Sequence, residues 1–192
     1  MAFLIYKGNL KLLSMKYLKL FENFDSYDPY ELMITPPNKK GEMIVSELNK
    51  DNPNLNLVND LIALGANLDW QDYYGWTALH WCARLNHPEI ARMLIDAGAD
   101  VNIQNKYGST ALHFCASLNP PEIARMLTDA GADVNVQDER GDTALHWCGY
   151  DNRPEIARIL IDAGADKTIP NNSGKLPYEL ADTQELKKLL KL

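Results

Sequence analysis

His80-Trp81-Cys82, His113-Phe114-Cys115 and His146-Trp147-Cys148 set an imidazole and a thiol two residues apart, three times over. Both groups ligate zinc, and a cysteine activated by a histidine is a nucleophile. Either chemistry needs the two side chains to converge. Residues two apart on a helix do not face each other. A metal would have to borrow ligands from a neighbouring copy, far beyond the roughly 2.0–2.3 Å that a zinc bond allows. Catalytic groups are also rarely triplicated in register. The triplets therefore read as packing residues. No phosphate loop, paired-carboxylate site or nucleophile elbow stands elsewhere in the chain. The expectation is a protein that is not an enzyme and uses no metal and no cofactor. A His/Cys metal protein is the alternative that metal analysis would detect.

The elements that position the triplets follow from a longer pattern. Gly-x-Thr-Ala-Leu-His stands at Gly75–His80, Gly108–His113 and Gly141–His146, a step of 33 residues. A worn copy, Gly174-Lys-Leu-Pro-Tyr-Glu179, keeps the step. A second block runs in phase through Pro88–Asn102, Pro121–Asn135 and Pro154–Asp166. A period of this length means stacked supersecondary units, which offer a long surface rather than one deep pocket. The spacing predicts a turn at Gly75, where a positive φ costs glycine little. Thr77 is placed to cap a short first helix over Ala78–Leu85. Asn86, Asn119 and Asn152 follow as left-handed residues. Pro88 opens a second helix, where its missing N–H costs nothing. Ile90, Met93 and Leu94 mark its buried stripe, and Gly98 ends it.

These residues resemble the ankyrin repeat. The family usually has Thr-Pro-Leu-His where this chain has Thr-Ala-Leu-His, and it shares the Ala-Gly-Ala-Asp-Val-Asn segment. The match is strong over Gln71 to Leu192 and weak over Asn38 to Trp70. The resemblance implies an all-α repeat solenoid, a stack of helix-turn-helix units with projecting β-hairpin loops. The expected division is an N-terminal helical capping extension over 1–37 and a repeat domain over 38–192. Within the latter lie a degenerate unit (38–70), regular units (71–104, 105–137, 138–170) and a closing unit (171–192). In the degenerate unit Gly41 takes the place of Gly75, and Leu64–Asp69 that of the Gly98 segment. In the family the repeat histidine bonds to backbone in the loop that joins it to its neighbour. Glu179 stands in its place where no unit follows, and Gln184–Leu190 is the expected closing helix. The cysteines replace a small buried alanine. Trp81, Phe114 and Trp147 replace leucine and are expected to form an aromatic ladder.

The family typically binds protein partners with the hairpin tips and the exposed side of the first helix, which form a concave face. The resemblance places there Tyr73, Tyr74, Trp76, Arg84 and Leu85, with Trp70 and Gln71 just before. In the next unit it places Lys106, Tyr107, Ser109, Ser117 and Leu118, and in the following one Glu139, Arg140, Asp142, Tyr150 and Asp151. The framework repeats while these positions differ, as a scaffold with specific tips would. Trp70, Tyr73, Tyr74 and Trp76 crowd four aromatics into seven residues. Exposed at that density they make a binding hot spot; the competing expectation is that the N-terminal extension folds over them. Asn102 and Asn135 resemble sites of the asparaginyl hydroxylase that modifies ankyrin repeats in animal cells. Their structural role would be to order the hairpin through side-chain hydrogen bonds.

The rest is bounded by composition. In 192 residues the net charge is −7, which argues against nucleic acid as partner. No run of about 20 apolar residues is present, so no membrane span is expected, and the apolar start of the chain is short for a signal peptide. One cysteine per unit, at stacked positions, predicts free thiols and a reducing, cytoplasmic setting. The chain is expected to act as a monomer. Leu10, Leu13, Tyr17, Leu20 or Phe21, and Phe24 share one helical face, with lysines elsewhere on the wheel. That spacing predicts a capping helix, or alternatively a membrane-surface adaptor. Asp28-Pro29-Tyr30-Glu31 starts a second helix, and Thr35-Pro36-Pro37-Asn38 interrupts it. Glu89–Arg92 and its two copies stand at i, i+3 and read as a solvated face.

Overall fold

Proline starts six of the helices among the described residues, always in the first turn, where its missing N–H leaves no hydrogen bond unmade. The computed structural model describes residues 2–6, 9–13 and 29–191. Two strands, β1 (Ala2–Tyr6) and β2 (Asn9–Leu13), come first. The helices follow as α1 (Pro29–Ile34), α2 (Pro37–Leu48), α3 (Leu55–Ala63), α4 (Ala78–Leu85), α5 (Pro88–Asp96) and α6 (Ala111–Leu118). Then come α7 (Pro121–Asp129), α8 (Ala144–Asp151), α9 (Pro154–Asp162), α10 (Pro177–Leu180) and α11 (Gln184–Leu190). The pairs α4–α5, α6–α7 and α8–α9 are the regular units, with the boundaries that the spacing predicts for the first helix and the start of the second. The closing helix α11 also lies where it was expected.

Each regular unit opens on a glycine that has two reasons to be glycine. Gly75, Gly108 and Gly141 have φ of 78°, 76° and 74°. A Cβ on Gly75 would also stand 2.8 Å from the Lys106 nitrogen, and one on Gly108 2.9 Å from that of Glu139. That close approach ties the tips together. Lys106 donates its N–H to Tyr74 O, Glu139 to Tyr107 O and Asn172 to Arg140 O, each at 3.0 Å. At the far end of each unit Ala97 is the C-cap, and Gly98 and Ala99 donate to Ile95 O and Leu94 O. This is the Schellman arrangement, which needs a left-handed residue at Gly98. Asn86, Asn119 and Asn152 end the first helices with φ of 57°, 66° and 51°, as expected of the residue next best to glycine there.

The core runs the length of the stack. Leu79, Leu112 and Leu145 from the first helices meet Ile90, Ile123, Ile156, Leu94, Leu127 and Leu160 from the second, all buried. Cys82, Cys115 and Cys148 are free and fully buried among them. Met93 of the expected stripe is only partly covered; Ala91 takes the deeper place.

The N-terminal third departs from expectation in two places. Leu10 and Leu13 lie in β2, paired antiparallel with β1 so that Ala2 faces Leu13 and Tyr6 faces Asn9, not on a helix. Ala2–Tyr6 and Asn9–Leu13 are short apolar runs two residues apart, a spacing that pairs as readily as it coils. Tyr17, Leu20, Phe21, Phe24 and Asp28 lie outside the described residues. The helical part of the extension that is described is α1, whose Leu32 joins the core. Gly41 is not a turn residue. It is buried inside α2, where a Cβ would meet Asn67 O and Trp70 Cβ. Without the Thr-Ala-Leu-His tetrad, Pro37 starts the first helix early, and the loop after α3 closes down onto it. Lys40 is buried beside it and donates to Leu64 O at 2.8 Å; burial lowers its pKa.

Candidate functional site

The histidines show how the triplets are used. Thr77 N–H donates to His80 Nδ1 at 3.1 Å. A backbone N–H can only donate, so Nδ1 is the acceptor and the ring proton sits on Nε2. From there it donates to Ser109 O of the next unit at 3.0 Å. His113 reaches Asp142 O and His146 reaches Lys175 O in the same way. One ring thus caps its own helix and ties down the next tip. Burial pushes the His80 pKa to about 4 and lowers those of His113 and His146. The neutral tautomer is the one whose bonds are made. Burial raises the pKa of all three thiols, which removes the thiolate that metal binding or nucleophilic attack needs. No group of three metal-ligating side chains converges among the described residues.

Behind each tip a second set of bonds couples residues nine apart. Asp72 accepts the Tyr74 and Trp76 N–H groups on Oδ1 and the Trp81 indole N–H on Oδ2, the latter at 3.2 Å. Asp138 does the same with Arg140, Asp142 and Trp147, the last at 3.1 Å. In the unit between them the pair is Asn105 and Phe114. Asn105 Oδ1 accepts from Tyr107 and Ser109, but Nδ2 has no partner among the described residues. No signal in one unit alone could have shown this; comparing the units does.

The expected partner-binding positions divide into two groups. Tyr73 (80 % exposed), Tyr74, Tyr107, Tyr150, Leu85 and Leu118 stand out into solvent, as do Arg84, Lys106, Glu139, Arg140 and Asp151. Ser117 is half-buried. Trp76 (8 %), Ser109 (3 %) and Asp142 (2 %) are buried, which corrects the expectation that the residue after the turn glycine reaches out. That residue points into the seam between units. Trp76 lies 4.9 Å from Trp81 and 4.3 Å from Phe114, and Phe114 lies 6.0 Å from Trp147, ring centre to ring centre. The ladder therefore includes Trp76 as a rung. Trp70 is half-buried over Gly41. Only Tyr73 and Tyr74 remain of the expected exposed cluster, packed edge to face, with Lys106 Nζ 4.4 Å from the Tyr73 ring centre.

The aromatic rungs floor a cleft of about 350 Å³ between the third and fourth units. Tyr107 stands on one side and Asp138, Glu139 and Arg140 on the other. On the opposite face of the stack, the repeated Glu-Arg pairs do not bond within their helix. Arg92 meets Glu122, Arg125 meets Glu155 and Arg158 meets Glu185, so each pair joins neighbouring units. The stagger of the units sets this. At such exposure each pair contributes little stability.

The geometry is that of a stack of near-identical helix pairs with locked core histidines and tips that differ from unit to unit. The family model for ankyrin repeats in three copies matches residues 43–138, and that for the single ankyrin repeat matches 140–172. The chain belongs to the ankyrin-repeat family, whose members are generally protein–protein interaction modules. No curated protein shows a significant match to the chain. No helix among the described residues is long and apolar enough to cross a membrane.

Proposed function

We propose that this chain is a non-catalytic interaction module that binds a protein partner through its hairpin tips and concave first-helix face. One observation carries the reading. Tyr73, Tyr74 and Tyr107 are exposed on neighbouring tips that backbone hydrogen bonds hold together, so large amphipathic side chains are presented already ordered. Tyrosine is favoured at interface hot spots, and preorganisation lowers the entropy lost on binding. The reading includes a monomer in a reducing cytoplasm, supported by the free buried thiols, and no nucleic-acid ligand, supported by the net charge of −7. Of the two roles for Asn102 and Asn135, the structural one is favoured over hydroxylation. Each already serves the stack, since Oδ1 accepts from Asp133 and Asp166 of the next unit at 2.7 Å.

The test uses a photo-crosslinking residue at Tyr73, Tyr107 or Leu118, with Arg92 and Arg125 on the opposite face as controls. Partner adducts should form from the first set and not from the controls. Adducts from the Arg92 and Arg125 positions alone would overturn the reading.

A further inference from the structure

The near-identity of the units makes one difference legible. In the second unit Arg84 folds its guanidinium back over the aromatic floor, 5.2 Å from the Trp76 ring centre and 5.6 Å from that of Trp81. The equivalent residue of the fourth unit is Tyr150, whose hydroxyl lies by Asn171 next to Asp142. In the third unit the same position holds Ser117, which is too short to cover anything. Ser109 and Phe114, the counterparts of Trp76 and Trp81, are left lining the open cleft, together with Trp147. The cleft opens in the unit that has Ser109 in place of Trp76 and Ser117 in place of Arg84, so neither a ring nor a guanidinium from the chain itself covers the Phe114 face.

We propose that this cleft takes the side chain of an arginine presented by the protein partner. The inference rests on the reading of the concave face as the partner site and names the chemistry of its central contact. A guanidinium is planar and weakly hydrated, so it stacks on aromatic faces as Arg84 does. The rim supplies the charge. Asp138 and Glu139 line the cleft against Arg140, a balance of one negative charge. Asp138 is engaged by Trp147 and by two backbone N–H groups. Glu139 makes no ion pair among the described residues and is exposed at the mouth. Its carboxylate is the group that meets the incoming cation, with fork geometry that arginine matches and lysine does not.

The probe is the peptide acetyl-Gly-Gly-Arg-Gly-Gly-amide, titrated into the full chain while the tryptophan indole N–H signals are followed by NMR. The Trp147 and Trp76 signals should shift saturably, with a dissociation constant in the millimolar range. The citrulline peptide, equal in shape but neutral, should bind at least about five-fold more weakly, the measure of a cation held against an aromatic face. Glu139→Gln should weaken the arginine peptide by a similar factor. Ser117→Arg should abolish binding, because the introduced guanidinium reaches the Phe114 face as Arg84 reaches that of Trp81. Ser117→Tyr, which copies the fourth unit's Tyr150, is a second blocking variant should the first melt early. Equal binding of the arginine and citrulline peptides, or full binding by a folded Ser117 variant, overturns the proposal. Tip crosslinks to the partner that persist in a Ser117→Arg chain would sink this inference alone, whereas partner adducts confined to the opposite face would sink the underlying reading as well.

Discussion

His80, His113 and His146 each satisfy two buried groups with one neutral ring, and their protonation is therefore a stability matter. Their folded pKa values lie below the ordinary 6.5, at about 4 for His80. Below pH 6.5 the unfolded chain binds protons that the folded chain refuses, so stability falls as the pH drops from 6.5 toward 4. His80 contributes up to roughly 1.4 kcal/mol per pH unit in that window, and His113 and His146 act in the same direction. The melting temperature should fall steeply between pH 7 and 5, and His113→Gln should start lower but fall less steeply. A melting temperature that is flat over this range would contradict the assignment. Asn105 gives a second prediction at this scale. Asn105→Asp alone buries an unmatched carboxylate oxygen, and Phe114→Trp alone aims an indole N–H at the Asn105 Nδ2 donor. Together they rebuild the pair seen at Asp72–Trp81 and Asp138–Trp147. Urea melts of the four proteins should show favourable coupling of about 1–3 kcal/mol. Additive effects would show that the two residues do not communicate.

At the scale of the element, the tip hairpin separates two roles that lie three residues apart. Tyr73 stands out into solvent, while Trp76 turns inward as a rung of the ladder. Tyr73→Ala should change stability by no more than about 0.5 kcal/mol and reduce partner binding. Trp76→Ala should cost about 3 kcal/mol or more through the cavity that it leaves. Guanidinium titrations of both variants distinguish the roles; a Trp76→Ala protein as stable as wild type would refute its place in the seam. The Arg-Glu pairs lie at the same scale with the opposite lesson. They look like intrahelical pairs in the sequence, yet each arginine reaches forward to the next unit. A helix packed beside a copy of itself has two candidate partners for every side chain, and the offset between copies chooses.

For the whole molecule, each unit leans on its neighbours, and the ends need special surfaces. The closing unit meets this in a way that Glu179 makes explicit. Its carboxylate accepts the Leu176 N–H at 2.8 Å, the capping half of the repeat histidine's work. Leu186 and Leu190 of α11 are buried, and Lys175 supplies the carbonyl for His146. Deleting 171–192 removes that carbonyl and uncovers Leu145, Ile156 and Leu160. Hydrogen exchange should then speed first in α8 and α9, while α4 to α6 stay protected, and solubility should fall. Uniform loss of protection along the chain would mean that the stack unfolds as one body and not from its end.

The repeat architecture was legible in the sequence because its signals are local. A glycine before each first helix, a threonine at its start, an asparagine at its end and a proline opening the second helix act within a few residues of where they stand. The free buried cysteines and the closing helix were legible for the same reason, since the repeat period carries them. What needed the tertiary structure was every choice made between units. Gly41 looked like a turn glycine, but the loop after α3 required its bare backbone inside a helix. Trp76 looked like part of an exposed cluster, but the seam beside it had room for a ring. The cleft between Phe114 and Trp147 opens because the third unit has Ser109 where the second has the ring of Trp76. A single chain specifies its turns by its own backbone preferences; which side chain faces solvent is settled by the neighbour that packs against it.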